Sequence, residues 1–396
     1  MLDAEPAGVV QLAVGDTHCA ALTRDGRVLT WGSDDADALG RVTSPRPDVA
    51  DDPQRHLLHP LESAPAEVEG LEGLDMAVAQ VVATDHATFL LTVDGLVYGW
   101  GTFFNADGPF GFRKESIGRR SQPTFEQIYQ KTPVQLAGLR DIKELSAGAE
   151  HVLALASDGT VYAWGVGQQG QLGRRLSPRH EFESLAPRAL NLPKKAVARI
   201  FAGLRHSFAV DNSGRVWAWG LNDCGQTGVD IDQSLRVPVV EFPTLVGRLA
   251  DRRLAHLAGG YQHSLACTDD GAVLAWGRCD SGQLGIDLSA VDNEDVYVNE
   301  RSSREAVLPP TVIPGLTASF VAAGKQNSLA INSDRQIVTW GFSEGFRTGL
   351  NRTIPVSEPT SLVGVAVRDV RFTFGACGGR FCFAAGRPRD DVVLSD

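Results

Sequence analysis

The sequence predicts an all-β fold, a seven-bladed β-propeller whose last blade is incomplete. The first observation is a cassette that recurs along the chain: Gly-x-x-His, a short apolar strand, a turn that usually contains Asp-Gly, and a second strand ending in Trp-Gly. The second is that six of the seven Trp residues belong to such Trp-Gly pairs. The third is the spacing of the Trp-Gly glycines, whose steps of 69, 64, 55, 57 and 64 residues each have room for the four short strands of a blade.

The clearest copy of the cassette is the run Ala258–Gly285, AGGYQHSLACTDDGAVLAWGRCDSGQLG. Its second strand, residues 272–276, alternates with the period of two that is expected of a strand packed on both faces. The Asp-Gly pair at 270–271 suits the turn between the strands, because a tight hairpin turn needs positive φ and glycine tolerates it. A unit this short cannot bury its own apolar faces, so we expect it to stack on further copies.

The repeats fill nearly the whole chain and predict one closed array rather than several domains. We expect a lead over residues 1–8, propeller repeats over 9–386 and a C-terminal tail over 387–396. A seventh copy begins at Gly378 but stops near Ala385 without a Trp-Gly pair, and the first eight residues hold no matching half. About half of the seventh blade is therefore expected to be missing, either because the chain is truncated or because strand edges stay exposed. The copies that end in Trp-Gly cover residues 15–32, 84–101, 148–165, 203–220, 260–277 and 324–341.

The composition is that of a globular protein, with 396 residues, 43% hydrophobic and 21% charged. No apolar run approaches the roughly 20 residues of a membrane helix. The acidic N-terminus lacks the basic segment followed by an apolar segment that is typical of a secretion signal. The six Cys residues show no CxxC pair or metal-site spacing, which favours a reducing intracellular compartment. A net charge of −11 argues against non-specific nucleic-acid binding and suits a basic protein partner.

In an up-and-down blade the Gly-x-x-His loops and the loops after Trp-Gly lie on one face of the disc. Loops on a rigid framework commonly carry function. The recurring His is interpreted as a packing and hydrogen-bonding device inside the blade, and the recurring Trp as a wedge between blades. The two residues before each His differ from repeat to repeat, and this makes them candidates for partner recognition. They include Asp85, Glu150, Arg205 and Gln262.

One loop breaks the pattern. Most Trp-Gly pairs are followed by a loop like GVGQQGQLG, but the chain after Gly101 reads TFFNADGPFGF. This insert is expected to project from the Gly-x-x-His face, and exposed aromatic residues beside Asp and Asn are typical of a protein contact. For Phe103, Phe110 and Phe112 two alternatives stay open, partner contact or the core of an enlarged blade. For Asn105–Gly108 we favour partner contact.

The cassette GxxH…DGxVxxWGxxxxGQLG resembles the regulator-of-chromosome-condensation repeat, and seven such blades are that family's fold. The insert is similar to the β-wedge of the family members that act as exchange factors for the small GTPase Ran. Both the run from Ala79 to Gly108 and the C-terminal FGACGGRFCFAAG look most like fungal members. The resemblance implies a guanine-nucleotide exchange factor that binds Ran, GDP-bound or nucleotide-free, and promotes GDP release through the wedge and an acidic face. It also implies a nuclear, chromatin-associated protein that meets chromatin or histones through segments this chain lacks, with a cytoplasmic location as the alternative.

The same resemblance implies roles for individual residues. Asp85 matches an acidic residue of the family, and Glu150 stands where the family has Asp; both are expected to be catalytic for exchange by holding basic residues of the GTPase. Phe104 stands where relatives usually have Arg, and Gln262 replaces a His but can still hydrogen-bond. The residues expected to contact the partner are Phe104, Asn105, Ala106, Asp107, Gly108, Gln262 and Arg205.

The sequence contains no readable Ser/His/Asp, Cys/His or paired-carboxylate set, no Walker motif and no metal cluster. We therefore expect no cofactor, no metal, no small-molecule substrate and no covalent chemistry. His56 and His59 lie three apart but have no further ligand nearby, and they are interpreted as part of a solvated loop. The alternative to an exchange factor is a non-catalytic propeller that binds another protein. The long loops 41–68, 113–132 and 290–307 follow third strands and are expected to crowd the same face.

Overall fold

The computed structural model describes residues 8–43, 60–71, 77–116, 124–193, 196–230, 239–298, 304–379 and 381–389. Within these residues the chain forms successive antiparallel sheets, and the first strands of neighbouring sheets pack against one another around a central channel. The first strand of the last sheet also packs on the first strand of the first sheet, so that the ring closes. The predicted all-β, seven-bladed propeller is confirmed.

Blades 1 to 3 follow the repeat, and their second strands are buried along their whole length because both faces pack against neighbouring sheets. Blade 1 contains β1 (Val9–Val14), β2 (His18–Thr23), β3 (Val28–Gly32) and, after α1 (Pro60–Ser63), β4 (Ala66–Glu67). Blade 2 contains β5 (Val78–Ala83), β6 (Ala87–Thr92), β7 (Val97–Gly101), the separate hairpin β8 (Phe103–Asn105) and β9 (Gly108–Gly111), a 3-10 turn (Lys114–Ser116), α2 (Phe125–Ile128) and β10 (Gln130–Gln135). Blade 3 contains β11 (Ile142–Ala147), β12 (His151–Ala156), β13 (Val161–Gly165), a 3-10 segment (Pro178–Leu185) and β14 (Arg188–Ala189).

Blades 4 to 6 have the same strand order, and one long strand, β23, serves two of them. Blade 4 contains β15 (Val197–Ala202), β16 (His206–Asp211), β17 (Val216–Leu221) and β18 (Val239–Leu245), followed by a 3-10 turn (Gly247–Leu249). Blade 5 contains β19 (Leu254–Gly259), β20 (His263–Thr268), β21 (Ala272–Arg278), 3-10 turns (Leu288–Ala290 and Asn293–Asp295), β22 (Val296–Val298) and the first part of β23 (Arg304–Ala323). Blade 6 contains the second part of β23, β24 (Asn327–Asn332), β25 (Ile337–Gly341), a 3-10 turn (Glu344–Phe346), β26 (Val356–Ser361) and α3 (Val365–Arg368).

Blade 7 has two strands within the described residues, β27 (Val370–Cys377) and β28 (Cys382–Pro388). Its second strand therefore ends at Pro388, somewhat beyond the end near Ala385 that the sequence suggests. The Phe383 ring meets Trp31 of blade 1 edge-on, with ring centroids 6.0 Å apart. Above them the Lys325 ammonium of blade 6 bridges to Asp16 of blade 1 at 2.7 Å. These contacts join the last two blades to the first.

The core lies between the blades, as the recurring Trp residues predict. The Trp side chains of repeats two to six are almost completely buried. Trp31 of the first repeat is partly exposed, because it faces the two-stranded blade rather than a full one. None of the helices in the described residues has the length and apolar character needed to cross a membrane.

Candidate functional site

The Gly-x-x-His loops and the loops after Trp-Gly share one face of the disc, here called the upper face. In six blades the first backbone N–H after the Trp-Gly pair donates to the carbonyl just before the His position, as from Val166 to Glu150 at 2.7 Å. Neighbouring Gly-x-x-His loops also bond to each other, for example Asp85 N–H to the Ala149 carbonyl at 2.7 Å. The side chains before each His are therefore held on a nearly continuous rim around the mouth of the channel.

The recurring His residues join neighbouring blades by one repeated network. At the junction of blades 4 and 5, His206 Nε2–H donates to Ser264 Oγ at 2.8 Å, and that hydroxyl donates to the Gln226 carbonyl. Trp276 Nε1–H donates to the same carbonyl at 2.9 Å. Burial lowers the pKa of His206 to about 3, so the ring stays neutral. The predicted packing role is therefore confirmed, and the hydrogen bonds run between blades rather than within one. Equivalent contacts start from His18, His151 and His263.

This network is missing at the junction of blades 2 and 3, where the unusual insert lies. Ala87 occupies the His position of blade 2, and Val152 occupies the hydroxyl position of blade 3. Trp164 is buried, and its Nε1–H has no partner among the described residues, because the carbonyl that serves the other Trp rings belongs to the replaced loop. The insert thus takes the place of a structural joint.

The base of the insert is an aromatic cluster. Phe103, Phe110 and Phe112 are buried, so the alternative of an enlarged core is the one the structure adopts for these three residues. Phe103 and Phe112 stack against Phe89 with centroids 6.0 and 5.6 Å away. At Gly99, where three other blades have Ala, an added Cβ would contact the rings of Phe89 and Phe112. The missing methyl group makes room for the cluster.

The tip of the hairpin points away from this base. The residues between β8 and β9 turn through Asn105, whose side-chain oxygen accepts the Asp107 N–H at 2.9 Å. Ala106 and Asp107 are exposed, and Phe104 is half-buried. Gly108 has a φ of 121°, a conformation that glycine adopts without strain, and an added Cβ there would meet nothing. The hairpin therefore offers a short, rigid, solvent-facing edge on the upper face.

Glu150 holds this hairpin from the neighbouring blade. Its Oε2 accepts the backbone N–H of Phe104 at 2.7 Å, and its Oε1 lies 2.5 Å from Nδ1 of His86. The carboxylate side chain is only 15% exposed. Burial raises its pKa above the ordinary value, opposed by the hydrogen bonds from His86 and Phe104. Both oxygens are thus engaged inside the chain, which favours a positioning role.

His86 is the functional candidate that the sequence interpretation missed. Its ring stacks on Phe104 with centroids 4.1 Å apart and an interplanar angle of 28°. The signal in the sequence was a shift by one position: the second repeat reads Thr84-Asp-His-Ala, so the His precedes the site where other repeats carry it. Because Ala87 fills the packing position, His86 is free to serve the hairpin.

Asp85 lies beside these residues at the mouth of the channel. Burial, and then the nearby charges of Glu150 and Asp16, raise the pKa of Asp85 to about 7, against the opposing effect of Lys325 and His86. A carboxyl group in this state becomes fully charged when a cation approaches it. Asp85 is therefore suited to receive a basic side chain of a partner.

Gln262 and Arg205 lie further round the rim, and both are engaged within the chain. The Gln262 amide donates to Asp223 and accepts from Arg278, each at 2.7 Å. The Arg205 guanidinium lies over the Tyr261 ring, 4.7 Å from its centroid, and its charge favours the ionised form of Glu150. They extend the polar rim over the loops that precede β16 and β20.

The described residues contain no group of three or more His, Cys, Asp or Glu side chains that could hold a metal ion. His56 and His59 lie outside the described residues, as do parts of the loops 41–68, 113–132 and 290–307. The central channel, about 300 Å³ in volume, is lined mainly by first strands. Its polar side chains bond to neighbouring blades: the Gln80 amide, for example, donates to the Leu145 carbonyl and accepts the Leu145 N–H.

The upper face and its hairpin can be compared with known proteins. Residues 2–384 match the family model described as the RCC1-like domain. The protein pim1 of Schizosaccharomyces pombe is 39% identical over 390 residues, 98% of this chain and 69% of that protein. The guanine nucleotide exchange factor SRM1 of Saccharomyces cerevisiae is 32% identical over 411 residues, 100% of this chain and 81% of that protein. The crystal structure of Prp20p from the same yeast superposes with a TM-score of 0.86 at 31% identity, covering 97% of this chain and 83% of that one.

Proposed function

The chain belongs to the family of RCC1-like domains, and we propose that it is a guanine-nucleotide exchange factor for a Ran-type small GTPase. Its relatives match over nearly the whole chain, and one of them is named as a guanine nucleotide exchange factor. The structural study of Prp20p reports its binding to Gsp1p, a GTPase of the Ran type. The reaction is the release of GDP from the GTPase, and we propose that no covalent bond is made or broken.

The physical requirement of exchange is differential binding. A small GTPase holds its nucleotide through Mg²⁺, a phosphate-binding loop and switch segments. A partner that binds the nucleotide-free conformation more tightly than the loaded one must, by reciprocity, weaken the affinity for nucleotide. A rigid surface that presses on the nucleotide site satisfies this requirement.

The observation that carries the proposal is the hairpin at the junction of blades 2 and 3. It replaces a structural joint that recurs at the other inner junctions, and it is fixed at its base by buried Phe103 and at its edge by Glu150. A hairpin fixed in this way loses little further freedom on binding, so its contacts can act on the partner. In this proposal residues Phe104–Gly108 disturb the nucleotide site.

We assign the surrounding residues by their contacts. Asp85 receives a basic side chain of the GTPase. Because its pKa is raised to about 7, the carboxyl group is only partly ionised in the free protein and becomes more fully ionised beside a cation. Glu150 acts mainly through the hairpin that it holds. Gln262 and Arg205 contribute the polar rim against which the GTPase rests. The acidic chain as a whole, with its net charge of −11, steers a basic partner surface towards this face.

The same relatives support a proposal for the location. The study of Prp20p also reports its binding to histones, and a relative from Xenopus laevis is named regulator of chromosome condensation. We therefore propose a nuclear protein that meets its GTPase at chromatin.

The experiment that tests the proposed function measures release of fluorescently labelled GDP from Ran. The protein is added at amounts far below those of the GTPase, with excess unlabelled GTP. We expect release to accelerate with multiple turnovers of the protein. Acceleration only at stoichiometric amounts, or binding without acceleration, would instead identify a non-catalytic interaction propeller and overturn the proposal.

A further inference from the structure

We infer that His86 is a positioning residue for exchange: its ring supports Phe104, and its Nδ1–H orients the Glu150 carboxylate that anchors the Phe104 backbone. This inference rests on the proposed function and names a residue of the same site. It concerns a side chain that does not belong to the hairpin and that the partner need not touch. His86 would affect the GTPase only indirectly, by positioning the hairpin that contacts it.

The geometry forms a closed triangle of three contacts. His86 stacks on Phe104 at 4.1 Å between ring centroids. Its Nδ1 lies 2.5 Å from Glu150 Oε1, and Glu150 Oε2 lies 2.7 Å from the Phe104 backbone nitrogen. Phe104 is therefore held both by its ring and by its main chain. Removing His86 would release one side of the ring and free the carboxylate to turn away.

The triangle joins two blades across the junction that lacks the usual network. His86 belongs to the upper loop of blade 2, and Glu150 to the upper loop of blade 3. At four other junctions a neutral His bonds to a Ser or Thr of the next blade, as His206 does to Ser264. Here a His bonds to a carboxylate instead. The substitution turns a neutral joint into a titratable one next to the exposed hairpin.

The charges that face His86 come from three loops. Glu150 lies on blade 3, Asp85 on the same loop as His86, and Asp16 on blade 1. Lys325 forms an ion pair with Asp16, and the charge of Arg205 opposes the rise in the pKa of Glu150. Burial opposes the charged imidazolium, but the hydrogen bond and charge of Glu150, together with Asp85 and Asp16, raise the pKa of His86 above its ordinary value. The imidazolium–carboxylate contact is a charge-assisted hydrogen bond, stronger than one between neutral groups.

Because the pKa of His86 is raised, the strength of its contact with Glu150 should depend on pH in a defined direction. The contact with Glu150 is strongest below the pKa of His86 and above that of Glu150, and it loses its charge assistance as the pH rises through the His86 pKa. Since the hairpin acts on the nucleotide site, the effect should fall on the maximal exchange rate, kcat, rather than on KM. The titration of His86 should therefore lower kcat on the alkaline side, whereas any change of KM with pH comes from other groups such as Asp85.

The test compares the intact protein with H86F, which keeps an aromatic ring over Phe104 but loses the donor, and H86N, which keeps a donor near the Nδ1 position but loses the ring. Release of labelled GDP from Ran is measured from pH 6 to 9 at several GTPase concentrations. We expect H86F to lower kcat about tenfold near neutral pH, the effect of losing one charge-assisted contact, and to remove the alkaline fall. H86N should retain an intermediate kcat without the alkaline fall. H180N, at an exposed His, is the control and should match the unsubstituted protein.

A second readout does not depend on exchange. The pKa of His86, followed by NMR of its ring protons, should exceed 6.5 in the unsubstituted protein and fall in E150Q, which removes the partner's charge. An unchanged pKa in E150Q would overturn the inference, as would H86F with normal kcat and a normal pH profile. If the unsubstituted protein fails to accelerate GDP release, the proposed function fails instead, and the two failures are thereby distinguished.

Discussion

Glu150 Oε2 accepts the backbone N–H of Phe104 at 2.7 Å, so a carboxylate of the third blade holds the hairpin that belongs to the second blade. The two residues are 46 positions apart in sequence, and only the packing of neighbouring blades brings them together. The hairpin is thus part of the rigid disc and not a loop attached to it.

Removing the Glu150 carboxylate should loosen the hairpin. In E150A the Phe104 N–H and His86 both lose their acceptor, and an unsatisfied buried donor costs about 1–3 kcal/mol. We expect kcat for GDP release to fall at least about tenfold, while KM changes less. E150Q can still accept the Phe104 N–H and should retain more activity. Equal, unreduced kcat in both variants would show that the hairpin needs no such anchor.

Substitutions of Phe103 and of Phe104 should have different effects, the first on stability and the second on GDP release. Phe103 is fully buried in the aromatic cluster, and a Phe to Ala change at such a site costs about 3–5 kcal/mol, so F103A should lower the midpoint of urea unfolding markedly. Phe104 is half-buried at the exposed edge, so F104A should leave unfolding nearly unchanged and still reduce GDP release. Similar unfolding midpoints for the two variants would contradict the assignment of base and edge.

The buried His joints should make stability depend on pH. The pKa of His206 is lowered to about 3 in the folded protein against about 6.5 when unfolded, so the unfolded state binds the extra proton between these values. Stability from this group is lost as the pH falls below 6.5, at up to about 1.4 kcal/mol per pH unit. H206Q should be less stable at pH 7.5, and its difference from the unsubstituted protein should shrink at pH 5.5. A difference in unfolding free energy that stays constant would contradict a neutral buried ring.

Neutralising Asp85 should weaken binding of the GTPase. The pKa of Asp85 is raised to about 7, and a basic partner residue would lower it again, so binding should tighten as the pH rises from 6 to 8. D85N should raise KM by about tenfold at pH 8 and remove this dependence. D94N, an exposed carboxyl on the opposite face of the same blade, is the matched control. An equal KM for D85N and D94N would place the partner elsewhere.

The architecture could be predicted because each repeat contains the local sequence features that determine its strands and turns. The turn glycines, the Trp-Gly pairs and the alternation of apolar residues act within a few positions, and their recurrence gives the blade count without knowledge of distant contacts. The hairpin could be predicted for the opposite reason, since the run after Gly101 is the place where the repeat fails. Both inferences use local sequence alone.

The anchor of the hairpin could not be predicted in the same way. His86 and Glu150 are 64 positions apart, and their contact depends on the rotation between two blades. The sequence therefore predicts that Glu150 faces the partner, whereas both of its oxygens are used within the chain. The fate of the three buried Phe side chains also stayed open, because the space that Gly99 leaves for them is a property of packing.

The most direct test of the hairpin's role in exchange replaces residues 104–107 by Gly-Ser-Gly-Ser, which keeps the length of the hairpin and the buried Phe103. The measurement is release of labelled GDP from Ran by catalytic amounts of this variant and of the unsubstituted protein, with the unfolding midpoint of each as a control for folding. We expect the acceleration to be lost while the propeller stays folded. Undiminished GDP release by a folded variant would contradict it.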